Sequence, residues 1–267
     1  MTPEQARAPL KIRIQREKGS HYDFFFHVHE LGVKHFLGDL KYVIEKNKHN
    51  VLILEDATAV REGGFLASRK FWENLHADGI KKAPHINELF SWPREKLWAV
   101  NTKTGEPADE MILQSLAKTY GMRIKIGEEH EKSRRASADA EHRRLGVAKS
   151  RLDRGLISEK EFGTVVVKEL AMHLWEFDSS IARTIKRVED ELMEDPTFKH
   201  DNVRALVIFG TAHRNIEKIF SKLTRGRTGV VKFGPEGITE VPWEYYLKAI
   251  ELAEKGETAI EKWIGFR

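Results

Sequence analysis

The segment ALVIFGTAH at residues 205–213 decides the fold, because an unbroken apolar run leads directly into Gly, Thr, Ala and His. A short apolar run bounded by glycine or polar residues predicts a strand that is buried on both faces. The segments VLILED at 51–56 and FFFHVHE at 24–30 have the same pattern. Strands of this kind belong to parallel sheets covered by helices, so the sequence predicts an α/β fold.

Helical patterns between these runs extend the prediction. Apolar residues recur at helical spacing over 34–48, between the first two strands, which predicts a βαβ unit with parallel strands. We therefore expect a mostly parallel or mixed central sheet flanked by helices, in a single α/β domain over residues 1–267. Further strands are predicted at 10–14, 97–100, 123–126 and 230–233, and further helices at 66–76, 107–120, 214–224 and from Pro242 onward.

The middle of the chain, at about 129–196, predicts a helical insertion in this domain. Residues 129–153 carry few apolar side chains and many charges, which is typical of a solvated helix with ion pairs. From Ser158 to Leu192, apolar residues fall at steps of three and four, and this stripe predicts a helix of more than about 30 residues. Glu161, three residues after Ser158, predicts a capping box at its start.

Composition limits the function classes. The chain has no Cys, which excludes disulfides, thiolate metal sites and Cys nucleophiles. Its 45 Lys and Arg against 41 Asp and Glu give a net charge of +4, which is too small to indicate nucleic-acid binding without a clustered patch. No segment is long and apolar enough to span a membrane, and the first 18 residues lack the apolar core of a signal peptide. We therefore expect a cytoplasmic protein that binds neither membranes nor nucleic acid; a homo-oligomer is left open.

The reactive groups at the strand ends predict a site, because the ligand crevice of an open α/β sheet lies beyond the carboxyl ends of its strands. In the segment at 24–30, His27 and His29 lie two residues apart and precede Glu30. Two imidazoles on one face of a strand can ligate one divalent metal ion. The alternatives are a strand end that faces solvent and a histidine that is hydrogen-bonded to the backbone.

Glu55 is the second candidate, because it follows four aliphatic residues that are predicted to be buried. A partly desolvated carboxylate at the rim of a sheet requires a hydrogen bond, a metal ion or a cation. These conditions suit a metal ligand or a general base. For the neighbouring Asp56, capping of the following turn is the favoured role.

His213 is the third and strongest candidate. Gly210 permits a tight turn out of the strand, and Thr211 can cap the following helix. His213 would then lie near a helix N-terminus, whose dipole disfavours an imidazolium, so we expect the neutral imidazole that a metal ligand or a general base requires. Arg214 beside it is suited to neutralise an anionic group.

The order of these motifs resembles the TraB/PrgY–Tiki–erythromycin-esterase superfamily. His29 corresponds to the His of the family's first Gly-x-x-His motif, although Phe26 replaces its Gly. Glu55 corresponds to the family's Glu, and residues 210–213 match the second Gly-x-x-His motif completely.

A helical segment before the last motif is also similar. Many members carry an Arg-Asp pair followed by Met-Ala, and residues 176–182 have a related pattern with Phe177 in place of the Arg and Asp178 as the Asp. The resemblance spans most of residues 22–225 and rests on three or four short matches.

The resemblance implies a hydrolase that cleaves a peptide or ester bond in a peptide or small-molecule substrate. His29, Glu55 and His213 would either hold one divalent ion (Mn²⁺, Co²⁺ or Zn²⁺) that activates water, or act without metal, with an imidazole as base and Glu55 orienting it. Supporting or substrate-orienting roles are implied for Asp178, Arg214, His27 and Glu30.

Two alternatives remain at this point. The missing Gly and Arg of the family motifs favour a binding or regulatory protein that keeps the fold without catalysis. A second enzyme class, an amidohydrolase- or PHP-type metal barrel, would use His27 and His29 as its first ligands. That barrel requires further ligands at later strand ends, of which His213 is the one well placed.

Overall fold

The computed structural model describes residues 20–27, 34–55, 69–102, 104–127, 132–210, 213, 215–224, 229–233, 243–253 and 255–265. The strand predicted at 10–14 lies outside these ranges. So do five residues that the sequence singles out for a role: His29, Glu30, Asp56, Thr211 and Arg214.

The described residues contribute five strands to one parallel sheet, in the order β3-β2-β4-β1-β5. The predicted α/β fold with a central sheet is therefore confirmed. The crossover from β1 to β2 passes over β4, which lies between them. The strands are β1 (His21–His27), β2 (Val51–Leu54), β3 (Arg123–Ile126), β4 (Arg204–Gly210) and β5 (Gly229–Phe233).

The helices follow most of the predicted ranges. They are α1 (Lys34–Asn47), α2 (Arg69–Lys82), α3 (Ile86–Leu89), α4 (Asp109–Tyr120), α5 (Lys132–Asp153), α6 (Glu159–Glu194), α7 (Ile216–Leu223), α8 (Trp243–Ala253) and α9 (Glu257–Ile264). None of these helices is both long and apolar enough to cross a membrane.

The strand predicted at 97–100 is wrong. This region forms a 3₁₀ turn at Arg94–Lys96 and then a single isolated bridge between Val100 and Pro107. Pro107 has no N–H group with which to extend a ladder, so the pairing stops at one bridge.

Side-chain alternation along the strands gives the sheet two apolar faces. One face, which includes Phe25, Leu52 and Leu54, packs against α1, α2, α3 and α4. The other, which includes Phe24, Ile53 and Phe209, packs against α6 and α7. The sheet is thus covered by helices on both sides, which explains why its strands β2 and β4 are almost continuously apolar.

The predicted long helix is confirmed as α6, which has 36 residues and begins with the Ser158–Glu161 capping box. Its C-terminal half packs on the sheet through residues such as Ile185, whereas its N-terminal half packs against α8 and α9 through residues such as Met172. Asp178 lies between these two contact surfaces, at the level of the sheet's carboxyl edge. The insertion thus contributes a side chain to that edge.

The pairing of α5 with α6 departs from the prediction of solvated ion pairs. Arg144 Nε and Nη2 lie 2.6 and 2.9 Å from Glu169 Oε1 and Oε2, and both residues are buried. The two helices pack closely enough to exclude water from this pair.

Candidate active site

Three of the strand ends singled out in the sequence lie side by side. β4 is flanked by β2 and β1, with Leu54 opposite Ile208 and His27 opposite Gly210. Because all three strands are parallel, their carboxyl ends share one edge of the sheet.

Glu55 follows β2 directly and is fixed against the end of β4. Its backbone N–H donates to the Ile208 carbonyl at 3.1 Å, and its Oε2 accepts a hydrogen bond from the Gly210 N–H at 2.6 Å. The side chain keeps 20% of its surface exposed. Glu55 is thus a rim carboxylate with a backbone hydrogen bond, as its sequence position predicts.

His213 lies between two carboxylates. Its Nδ1 is 2.6 Å from Asp178 Oδ1, and its Nε2 is 3.3 Å from Glu55 Oε1. The imidazole also packs edge-on against Phe209, with ring centroids 5.9 Å apart. His213 is 7% exposed and Asp178 is fully buried, so Glu55 is the member of this set that is most accessible to solvent.

Tyr246 of α8 completes the set and is not predicted by the sequence as a site residue. Its hydroxyl contacts Asp178 Oδ2 and lies 3.0 Å from the Leu174 carbonyl oxygen. A hydroxyl has one proton to donate, so Asp178 and Leu174 share a single donor. The one sequence signal is that a Tyr on the apolar face of a helix requires a buried partner for its hydroxyl.

Protonation of His213 differs from the expectation of a neutral imidazole. Burial favours the neutral ring, but hydrogen bonds with Asp178 and Glu55 and the charges of both carboxylates outweigh burial and raise the pKa of His213 to about 10. The helix α7 begins at Ile216, and two carboxylates in direct contact outweigh the dipole of a helix that starts three residues later. The two carboxylates therefore favour the imidazolium form of His213, while burial raises the pKa of Asp178 itself.

This geometry limits how a metal ion could use the set. Asp178 and Glu55 contact opposite nitrogens of one imidazole, so the two carboxylates cannot both join His213 around a single ion. The predicted ligand set of His29, Glu55 and His213 depends on His29, which lies outside the described ranges. That set stays a prediction.

The remaining predicted residues divide as follows. The backbone of His27 ends β1 beside Gly210, whereas Glu30 and Arg214 lie outside the described residues. The five-stranded sheet is open within the described part of the chain, with β3 and β5 at its edges. An open sheet does not support the metal-barrel alternative, which requires closure.

Compared with known proteins, the chain matches no family model, no curated protein and no solved structure. The resemblance to the TraB/PrgY–Tiki–erythromycin-esterase superfamily therefore rests on the sequence motifs alone.

Proposed function

We propose that this protein is a hydrolase in which Glu55, His213 and Asp178 act as one acid–base unit. One observation carries the proposal: an imidazole held between two carboxylates, at 2.6 and 3.3 Å, at the carboxyl edge of a parallel sheet. Such edges are where open α/β sheets bind ligands. Perturbed, coupled ionisable groups in this position favour a catalytic role.

In the proposed mechanism, Asp178 acts as a positioning residue. Its buried carboxylate accepts the Nδ1 proton of His213, which fixes the ring and leaves Nε2 directed toward Glu55. Asp178 also stabilises the positive charge of the imidazolium, as a buried carboxylate does in other acid–base sites.

Glu55 and His213 then have complementary roles. Glu55 accepts a proton from water as the water oxygen attacks the carbonyl carbon, and the Nε2–H of His213 donates a proton to the departing oxygen or nitrogen. The proton on Glu55 then returns to His213 Nε2 across their 3.3 Å contact, which restores the starting state. In the metal-free mechanism expected from the sequence, the imidazole is the base and Glu55 orients it. Here Glu55 is the base and His213 the acid, because a His213 pKa of about 10 suits an acid and not a base.

The substrate class follows from the resemblance to the TraB/PrgY–Tiki–erythromycin-esterase superfamily, which supports a peptide or ester bond in a peptide or small molecule. A metal-dependent branch would use His29, Glu55 and His213 as ligands for Mn²⁺, Co²⁺ or Zn²⁺. We favour the metal-free branch, because Glu55, His213 and Asp178 all lie within the described residues and contact one another, whereas His29 lies outside them.

The test is hydrolysis of p-nitrophenyl acetate and of a quenched fluorescent casein by wild type and Glu55→Gln. Gln keeps the size of the side chain but cannot accept a proton, so we expect kcat/KM to fall by at least about 100-fold. Glu88→Gln, at an exposed position on α3, is the control and should retain wild-type activity. A Glu55→Gln protein with full activity would contradict the proposal.

A second candidate, a binding or regulatory protein without catalysis, is favoured by the deep burial of Asp178 and His213. In that case the three residues stabilise the sheet edge, and Glu55→Gln lowers the unfolding midpoint without any activity to lose. Hydrolysis by wild type that is abolished in Glu55→Gln excludes this second candidate.

A further inference from the structure

A second cluster of ionisable side chains lies at the opposite, amino edge of the sheet. His21 and Asp23 alternate on β1 and so share one face of it, and His49 comes from the connection between α1 and β2. One donor atom from each of the three lies within 4.8 Å of the other two. At about 3.3 Å per strand residue, the cluster is roughly 15–20 Å from the candidate active site.

The cluster is buried, although it contains a carboxylate. The side chains of Asp23 and His49 are 2% and 0% exposed, and His49 Nε2 lies 2.7 Å from Asp23 Oδ2. The side-chain amide of Asn47 donates to the same carboxylate oxygen. A carboxylate in such surroundings requires a cation or several hydrogen bonds.

We propose that His21, Asp23 and His49 bind one divalent transition-metal ion of the zinc class. Two imidazole nitrogens and one carboxylate oxygen are the donor set that zinc prefers, whereas calcium and magnesium prefer oxygen ligands alone. The hydrogen bond from Asn47 to Asp23 is the kind of outer contact that orients a ligating carboxylate.

The three donor atoms, all within 4.8 Å of one another, are compact enough to close around one ion with small movements. Metal–ligand bonds of about 2.0–2.1 Å hold tetrahedral ligand atoms roughly 3.4 Å apart. The direct contact of 2.7 Å between His49 Nε2 and Asp23 Oδ2 would lengthen by less than about 1 Å.

The bound ion would have a structural role. β1 and β2 lie on either side of β4, so an ion shared by His21, Asp23 and His49 joins β1 to the connection that enters β2. Its binding would therefore raise the stability of the folded chain by mass action, independently of the proposed hydrolase activity.

The test is zinc binding by equilibrium dialysis with metal analysis, together with the unfolding midpoint with and without ZnCl₂. We expect one zinc per wild-type chain and a higher midpoint with zinc. The variants His49→Gln and Asp23→Asn should bind at least about tenfold more weakly and lose the shift. His21→Gln, at a partly exposed position, provides the decisive comparison if the two buried variants do not fold.

Two controls separate this site from others. His85→Gln changes an exposed His with no side-chain cap contact, and His213→Gln changes the candidate active site; both should keep the wild-type zinc stoichiometry. The proposal is overturned if wild type binds no zinc, if His21→Gln binds it as tightly as wild type, or if His213→Gln is the variant that loses it.

Discussion

At the scale of single residues, the contact of one imidazole with two carboxylates sets the protonation of the proposed acid–base unit. Asp178 is buried and contacts His213, whereas Glu55 is partly exposed and is the group that a substrate of the proposed hydrolase would reach. Burial raises the pKa of Asp178, and its contacts with His213 and Tyr246 oppose that shift.

The raised pKa of His213 makes stability depend on pH in a defined direction. The pKa in the folded protein, about 10, exceeds the ordinary value of 6.5, so the folded state holds a proton that the unfolded chain releases. The contribution of His213 to the free energy of unfolding is therefore complete below about pH 6.5 and is lost as the pH rises through about 10.

This dependence is measured by urea unfolding of wild type and His213→Gln across that range. Lysines and tyrosines titrate in both proteins, so their contribution cancels when the free energy of unfolding of the variant is subtracted from that of wild type. We expect the free energy of unfolding of wild type to exceed that of the variant by more at pH 6.5 than at pH 10. A difference that stays constant, or grows with pH, contradicts the assignment of a raised pKa to His213.

The sequence predicts some of these residues and misses others for a physical reason. Glu55 and His213 follow buried apolar runs, so local pattern alone places them at a sheet edge. Tyr246 contacts Asp178 across 68 residues of chain, and His49 reaches Asp23 from a turn. Contacts of this kind depend on how elements that are distant in sequence pack together, and local sequence patterns do not predict them.

At the scale of elements, α6 links the helical insertion to the candidate active site. The helix carries Asp178 near its midpoint, and the residues that follow bury its C-terminal half against the sheet. The position of Asp178 therefore depends on the packing of Ile185 and its neighbours and not only on its own hydrogen bonds.

The packing of α6 is tested by Ile185→Ala, with Met193→Ala on the same helix as the control. Ile185 is fully buried, whereas Met193 is 48% exposed. We expect Ile185→Ala to lower the free energy of unfolding by about 2–5 kcal/mol and Met193→Ala to change it by less than about 0.5 kcal/mol. Equal losses in denaturant unfolding would show that this half of α6 does not pack on the sheet as described.

Most elements are predictable because each carries its own pattern. The apolar stripe over α6 and the capping box at Ser158 identify a long helix without reference to the rest of the chain. The strand predicted at 97–100 fails because a short apolar stretch does not form a strand without a partner to extend its ladder.

At the scale of the whole molecule, the parallel sheet separates two ionic clusters at its opposite edges. The strand order places β4 between β1 and β2, which brings Glu55 to the end of β4 and His49 to the start of β1. Parallel strands follow from the βαβ pattern, but the insertion of β4 between the first two strands depends on long-range packing. For this reason the sequence predicts the carboxyl-edge cluster and not the amino-edge cluster.

The most direct test of the proposed acid–base unit is an NMR titration of ¹⁵N-labelled histidine in wild type, Asp178→Asn and Glu55→Gln. The structure predicts that both ring nitrogens of His213 in wild type stay protonated well above the ordinary pKa of 6.5, up to about 10. Each substitution removes a carboxylate and should lower that pKa. A wild-type His213 that titrates near 6.5, or a pKa that neither variant changes, would contradict the account.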